Sequence, residues 1–326
     1  KRSWHFVGKN VHDFVWAADT AYKHYAKKLS GRELTLHVIF KPKEGDAAQQ
    51  DEWAKVLPAA EKLLPFIEKN FGKYPYPQYS FIHGGDGGME YAMATLLQGP
   101  GIGTVIHEWM HSWYQQMLGT NESMHAWMDE GFTSYAETVV NTYNDGEPSS
   151  ASYYAALKKN PENKRLKELI GQIPVDHVDA YLSYYQLVKS DLEEPLTTHA
   201  DHYNSNFAYS VASYSKGEVF LEQLGYIIGA EARNKTLLEY YKQWTFKHPN
   251  PNDFIRVAEK VSGIQLDWYN EYWCKTTKTI NYSIDSLWED SGVTKIRLRR
   301  IGQMPMPVDL ELTFKDGSSE MHNIPL

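Results

Sequence analysis

Cysteine is almost missing from this chain: Cys274 is the only one in 326 residues. No disulfide can form within it, and the cysteine count leaves the redox compartment open. Long apolar runs are missing too. No stretch reaches the roughly eighteen residues that a transmembrane helix needs. There is no basic block either. The 33 basic and 41 acidic residues are interspersed and sum to a net charge of −8, which argues against nucleic acid or an anionic membrane as partner. Internal repeats and low-complexity tracts are absent. No signal peptide appears, and the chain opens at Lys1 without a methionine, so we read it as an excised piece of a longer protein. What is present is a composition 42% hydrophobic and 14% aromatic, enough for a large core and too long for one small domain.

The chain is organised around His107-Glu108-Trp109-Met110-His111. Residues four apart share one face of a helix, so the two imidazoles can hold one metal ion. Glu108 stands beside the first histidine, within reach of a water in such a site. A catalytic zinc takes three protein ligands and keeps one position open. Glu130, nineteen residues after His111, is the candidate third ligand. Gly99-Pro100-Gly101 opens the first helix, Gly119-Thr120-Asn121 is expected to end it, and a second helix over 123–143 brings Glu130 back to the histidines. Glu137 lies two turns beyond Glu130, where it either orients a ligand histidine or is simply solvated.

These motifs resemble the gluzincin metallopeptidases of family M1, the zinc aminopeptidases related to aminopeptidase N and leukotriene A4 hydrolase. HEWMH is followed after eighteen residues by the glutamate of Trp127-Met128-Asp129-Glu130-Gly131-Phe132. Gly87-Gly88-Met89-Glu90-Tyr91 resembles the family's GxMEN segment, and Tyr214-Ser215-Lys216-Gly217 its YxKG segment. The order of the three matches the family, and the likeness covers roughly residues 30–280. It implies an α+β fold with a thermolysin-like catalytic domain, a small mixed sheet plus helices, flanked by β-strand segments. It implies one Zn2+ per chain on His107, His111 and Glu130, with Glu108 as general base. Tyr214 would stabilise the oxyanion. Glu90 would bind the substrate's free α-amine, with Gly87, Gly88 and Met89 around the peptide. The partners implied are peptides with a free N-terminus, and a mostly missing N-terminal domain would complete the amine site. Tyr91 stands where the family usually has Asn, and Asp129 also replaces a common Asn.

The rest of the chain is read around that site. Trp4–Val7 and Asp13–Ala18 are expected to be strands closing an N-terminal β domain over 1–30. The catalytic domain is expected over 31–280. Its alternating strand runs from Leu34 to Phe40, and its helix from Asp51 to Phe71 is bent or broken at Pro58 and Pro65. His83-Gly84-Gly85-Asp86-Gly87-Gly88 lacks the lysine of a phosphate loop, so its glycines read as close backbone approach to a ligand. Met89–Leu97 then reads as one edge strand, open to pairing by an extended substrate. Residues 144–205 are polar and tyrosine-rich, suggesting helices joined by loops, with His199 and His202 read as surface histidines. Four strands are expected over 281–326, the start of a β module, with a turn at Lys315-Asp316-Gly317. The reading as a whole is a zinc aminopeptidase. A gluzincin endopeptidase and a catalytically silent peptide-binding scaffold are the alternatives.

Overall fold

Alternation of Leu36, Val38 and Phe40 calls for a strand with one buried face. In the structure, a computed structural model, that strand is β2 (Thr35–Phe40), and all three side chains are buried. The structure describes residues 2–148 and 175–326, with Ala151, Ala155 and Lys159 between them. The rest of the expected helix-and-loop region over 149–174 lies outside the described residues. By its contacts the chain divides into two compact units, Lys1–Ile264 and Gln265–Leu326.

In the first unit β2 belongs to a five-stranded sheet of order β1-β2-β3-β5-β4. Its other strands are β1 (Lys23–Lys28), β3 (Gln78–His83), β4 (Gly88–Tyr91) and β5 (Ala94–Leu97). β2, β3 and β5 run parallel, and the two outer strands are antiparallel to their neighbours. The central strand β3 is the apolar one, with Tyr79, Phe81 and Ile82 buried. Helix α1 (Ala47–Phe71) lays Trp53, Val56, Leu57, Leu63, Leu64 and Ile67 into the core. Asp46 caps it by accepting a hydrogen bond from the Gln49 amide at 2.9 Å.

Three expectations are corrected here. Trp4–Val7 and Asp13–Ala18 form no strand, and Trp4, Phe6, Val7, Phe14 and Trp16 are exposed. Alternation supplies a face, but a strand also needs a neighbour to complete its ladder. Pro58 and Pro65 lie inside α1 without interrupting it, because the burial of the helix's apolar face outweighs the lost backbone donors. Met89–Leu97 is a tight hairpin of β4 and β5 rather than one strand, turning at Ala92-Met93 with Met93 at φ 60°.

The helices that follow are α2 (Ile102–Met110), α3 (Phe132–Asp145), α4 (Val178–Lys189), α5 (Asn206–Ser210), α6 (Gly217–Ile228), α7 (Ala230–Trp244) and α8 (Pro251–Ser262). Their shared core centres on Phe132. Its ring meets Tyr114, Trp127, Tyr240 and Phe254 edge-on and stacks on Phe220. The second unit, described by itself, holds α9 (Asp267–Lys275) and two hairpins. One pairs β6 (Tyr282–Asp290) with β7 (Val293–Arg300), and the other pairs β8 (Val308–Thr313) with β9 (Ser319–Ile324). Gly317, at φ 85°, makes the second turn, as expected.

Candidate active site

Helix α2 carries His107 and Glu108 and ends at Met110, with His111 as its C-cap. The expected end at Gly119 is therefore too late. Tyr114 (φ −95°, ψ 104°) and Gln115 (φ 100°, ψ −51°) leave helical geometry. The break frees the Tyr114 carbonyl, 3.3 Å from His111 Nδ1. The next helical segment opens at Trp127 rather than Ser123, and its first turn delivers Glu130. Tyr79, on the central strand, donates from its hydroxyl to the Glu108 carbonyl at 3.1 Å and ties α2 to the sheet.

His107 Nε2 lies 3.2 Å from His111 Nε2 and 3.2 Å from Glu130 Oε2. His111 Nε2 lies 3.3 Å from the same oxygen. Ligand atoms around a tetrahedral ion with bonds of about 2.0–2.2 Å are roughly 3.3–3.6 Å apart. The three atoms therefore form a ready seat for a small cation. The far nitrogens are held as well. His107 Nδ1 is 2.9 Å from Glu137 Oε2, so Glu137 has the orienting role. His111 Nδ1 is 2.7 Å from Asp129 Oδ1 and 3.2 Å from Thr133 Oγ1. Burial pulls the His107 pKa down, but Glu130 and Glu137 outweigh it and lift it to about 9. A potential that draws a proton this strongly onto buried imidazole also suits a dication, and the nitrogen and oxygen donors suit zinc.

Glu108 is nine-tenths buried, and its Oε2 has no hydrogen-bond partner among the described residues. Burial pushes its carboxyl up to about 7, against the pull of His111 and His107. Gly88 makes the room: a Cβ there would stand 2.1 Å from Glu108 Oε1. Gly131 and Gly217 play the corresponding part on the other wall, since a Cβ on Gly131 would meet Gly217 Cα at 2.5 Å. That contact lets the Glu130 and Tyr214 segments close until the Tyr214 hydroxyl donates to Glu130 Oε1 at 2.6 Å. Burial and then the Glu130 charge push the Tyr214 pKa far up, so it stays a donor.

A cavity of about 340 Å³ opens over these groups. Gly88, Met89, Glu90, His107, Glu108, His111, Glu130 and Tyr214 all line it, so it gathers most of the expected site residues. Gly87 is outside that lining, with nothing within 4 Å of where its Cβ would be. Glu90 comes from β4, the edge strand. The sequence reading missed the parts of Asp129 and Thr133 at His111, and it missed Glu122, which also lines the cavity. Asp129 left one faint signal, its place next to Glu130. His199 and His202 have ring centroids 4.9 Å apart, tilted at 36°, and belong to no candidate metal group among the described residues.

Solved structures share this architecture. An M1 zinc metallopeptidase from Deinococcus radiodurans superposes with a TM-score of 0.57 at 17% identity, covering 78% of this chain and 52% of that one. Aminopeptidase A of Legionella pneumophila reaches 0.62 at 12% identity, covering 94% of this chain and 35% of that one. The fold shared with them is α+β and thermolysin-like. Among curated proteins, leucine aminopeptidase 2 of Chaetomium globosum is 26% identical over 256 residues, 71% of this chain and 38% of its own length. Aminopeptidase N of Streptomyces lividans is 24% identical over 273 residues, 78% of this chain and 29% of its own. The chain thus spans well under half of these relatives. The family model for the peptidase family M1 domain matches residues 56–273, and with two thirds of its length inside that match the chain belongs to family M1.

Proposed function

We propose that this protein is a zinc-dependent aminopeptidase that removes single residues from the free N-terminus of peptides, with one zinc per chain. The observation that carries the reading is the triangle of His107, His111 and Glu130 atoms with the buried Glu108 carboxyl beside it. Those three residues would hold the ion, which when bound acidifies water and polarises a carbonyl.

The chain's own groups supply the rest. Glu108 accepts the proton of the attacking water and returns it to the leaving amine, a task suited to a carboxyl poised near neutral pH. The Tyr214 hydroxyl donates to the carbonyl oxygen as it gains charge. Glu90 takes the α-ammonium, which limits cleavage to the first residue. The outer edge of β4 is free to pair with the peptide backbone as an added strand. Every residue used lies between Glu90 and Tyr214, inside the catalytic domain read over 31–280.

Hydrolysis of aminoacyl-arylamides, beside their N-acetyl counterparts, tests this. Turnover should vanish with a chelator, return with zinc, and be absent on acetylated substrates. Glu108→Gln should lower kcat about a thousandfold while keeping the metal. Equal cleavage of acetylated peptides would favour the endopeptidase alternative. Bound zinc with no turnover on any peptide would favour the scaffold.

A further inference from the structure

Beside the active site lies a second cavity, of about 410 Å³. Glu122 and Ser123 line both, so the two share a wall. Most of its lining residues are polar, and none is a lysine or arginine. Buried polar atoms without partners are rare in folded proteins, and each calls for an account. This cavity's lining has three among the described residues: Gln115 Oε1, Thr120 Oγ1 and His125 Nδ1. Gln115 and Thr120 are themselves more than nine-tenths buried. Gln115 also sits at φ 100°, a backbone state that a non-glycine residue adopts only under constraint.

Of the three unpaired atoms Gln115 Oε1 can only accept, and Thr120 Oγ1 and His125 Nδ1 can each accept as well. His248 uses Nδ1–H on the Gly119 carbonyl at 2.9 Å, which leaves Nε2 as an acceptor when the ring is neutral. Burial pushes the His125 pKa below its ordinary value and so favours its neutral ring. Glu122 forms no hydrogen bond or ion pair among the described residues. Partial desolvation, and after it the Glu90 charge, push its carboxyl above the ordinary range. Glu122 and Glu90 both line the active-site cavity, and neither cavity's lining includes a lysine or arginine. A ligand end that carries several N–H donors and a positive charge satisfies all of these groups, and an apolar end satisfies none.

We propose that this adjoining cavity takes the side chain of the substrate's first residue, and that its acceptors, with Glu122 at the shared wall, select lysine or arginine there. The inference rests on the aminopeptidase reading for its substrate, but its ligand preference can be measured without turnover. A site built to hydrogen-bond a polar group rejects the analogue that lacks it, because its own buried atoms are then left unpaired. Norleucine is the matching analogue, being lysine without its ammonium.

The test compares lysyl- and norleucyl-arylamides as substrates, and L-lysinamide with L-norleucinamide by calorimetry on the zinc-loaded full chain. We expect lysine to be favoured over norleucine by tenfold or more in both. Glu122→Gln and Thr120→Val should each shrink that ratio at least threefold. Norleucine equal to lysine in the wild type would overturn the proposal, as would a ratio that neither variant changes. So would an equal loss for both ligands in Glu122→Gln, which would put Glu122 on the α-amine. Preferential binding of lysinamide with no turnover of any substrate would sink the aminopeptidase reading and leave the cavity's selectivity standing.

Discussion

His107 and His177 are both largely buried, and each has a glutamate at Nδ1, at 2.9 Å for Glu137 and 2.8 Å for Glu218. Their second nitrogens differ. His107 Nε2 faces another imidazole and a carboxylate oxygen, both at 3.2 Å. His177 Nε2 faces one more carboxylate, Glu222, at 3.4 Å. The first arrangement crowds three lone-pair donors around one point, which is stable with a cation there. The second neutralises an imidazolium from both sides and needs nothing more. The His–Glu pair is common to both, so it is the second nitrogen's surroundings that separate a ligand from a structural ion pair.

The sharpest way to break the comparison is to disturb the working site without touching a donor. Gly88→Ala would place a methyl group 2.1 Å from Glu108 Oε1. The carboxyl must then move, and displacement of a catalytic group by about 1 Å costs roughly a hundredfold in rate. Steady-state kinetics should show a fall in kcat of that size, with zinc content unchanged by elemental analysis. A kcat within a few-fold of wild type would mean that Glu108 does not depend on the place where Gly88 leaves room for it.

Parallel substitutions at the two Nδ1 partners should separate the histidines next. Glu137→Gln removes the carboxylate that orients His107 and should weaken zinc binding about tenfold to a hundredfold, read by competition with a chromophoric chelator. Glu218→Gln should leave zinc affinity alone and lower unfolding free energy by about 2–4 kcal/mol, since it strips a partner from a buried imidazolium. Glu218 also accepts from Thr138 Oγ1 at 3.0 Å, which adds to that loss. If both variants changed zinc affinity alike, the distinction drawn from the second nitrogen would fail.

The difference between the two histidines also governs what could be read from sequence. His107, Glu108 and His111 lie within one turn of helix, so spacing alone placed them, and Glu130 follows after one helical return. His177 and Glu218 are 41 residues apart and meet only through packing, so no local pattern announces them. Tyr214 is one of 23 tyrosines, and only the likeness of its segment to the family's singled it out. The β4–β5 hairpin stayed hidden because Met93 makes its turn at φ 60° without glycine or asparagine. The first residues misled in the other direction, since their apolar alternation found no ladder to join. The candidate catalytic groups were legible where they are local, and of their supports Glu137 was too, two turns from Glu130, whereas Thr133 at His111 carried no such pattern.

The smallest expected effect is one of pH, and it has opposite signs at the two histidines. Burial pulls the His177 pKa down, but Glu218 and Glu222 outweigh it, so the folded value lies above the ordinary one. Its charged form therefore stabilises the fold. That contribution is complete below about pH 6.5, the unfolded value, and is lost as pH rises through the higher folded value. Metal ligation instead requires neutral imidazole, so zinc at His107 and His111 weakens as pH falls. Urea unfolding of the metal-free chain between pH 6 and 9 should show wild type losing stability with rising pH, and Glu218→Gln losing less. Zinc competition over the same range should tighten with rising pH in both proteins. Unfolding slopes that coincide in the two would remove His177 as the source of the decline and leave its two glutamates as packing partners only.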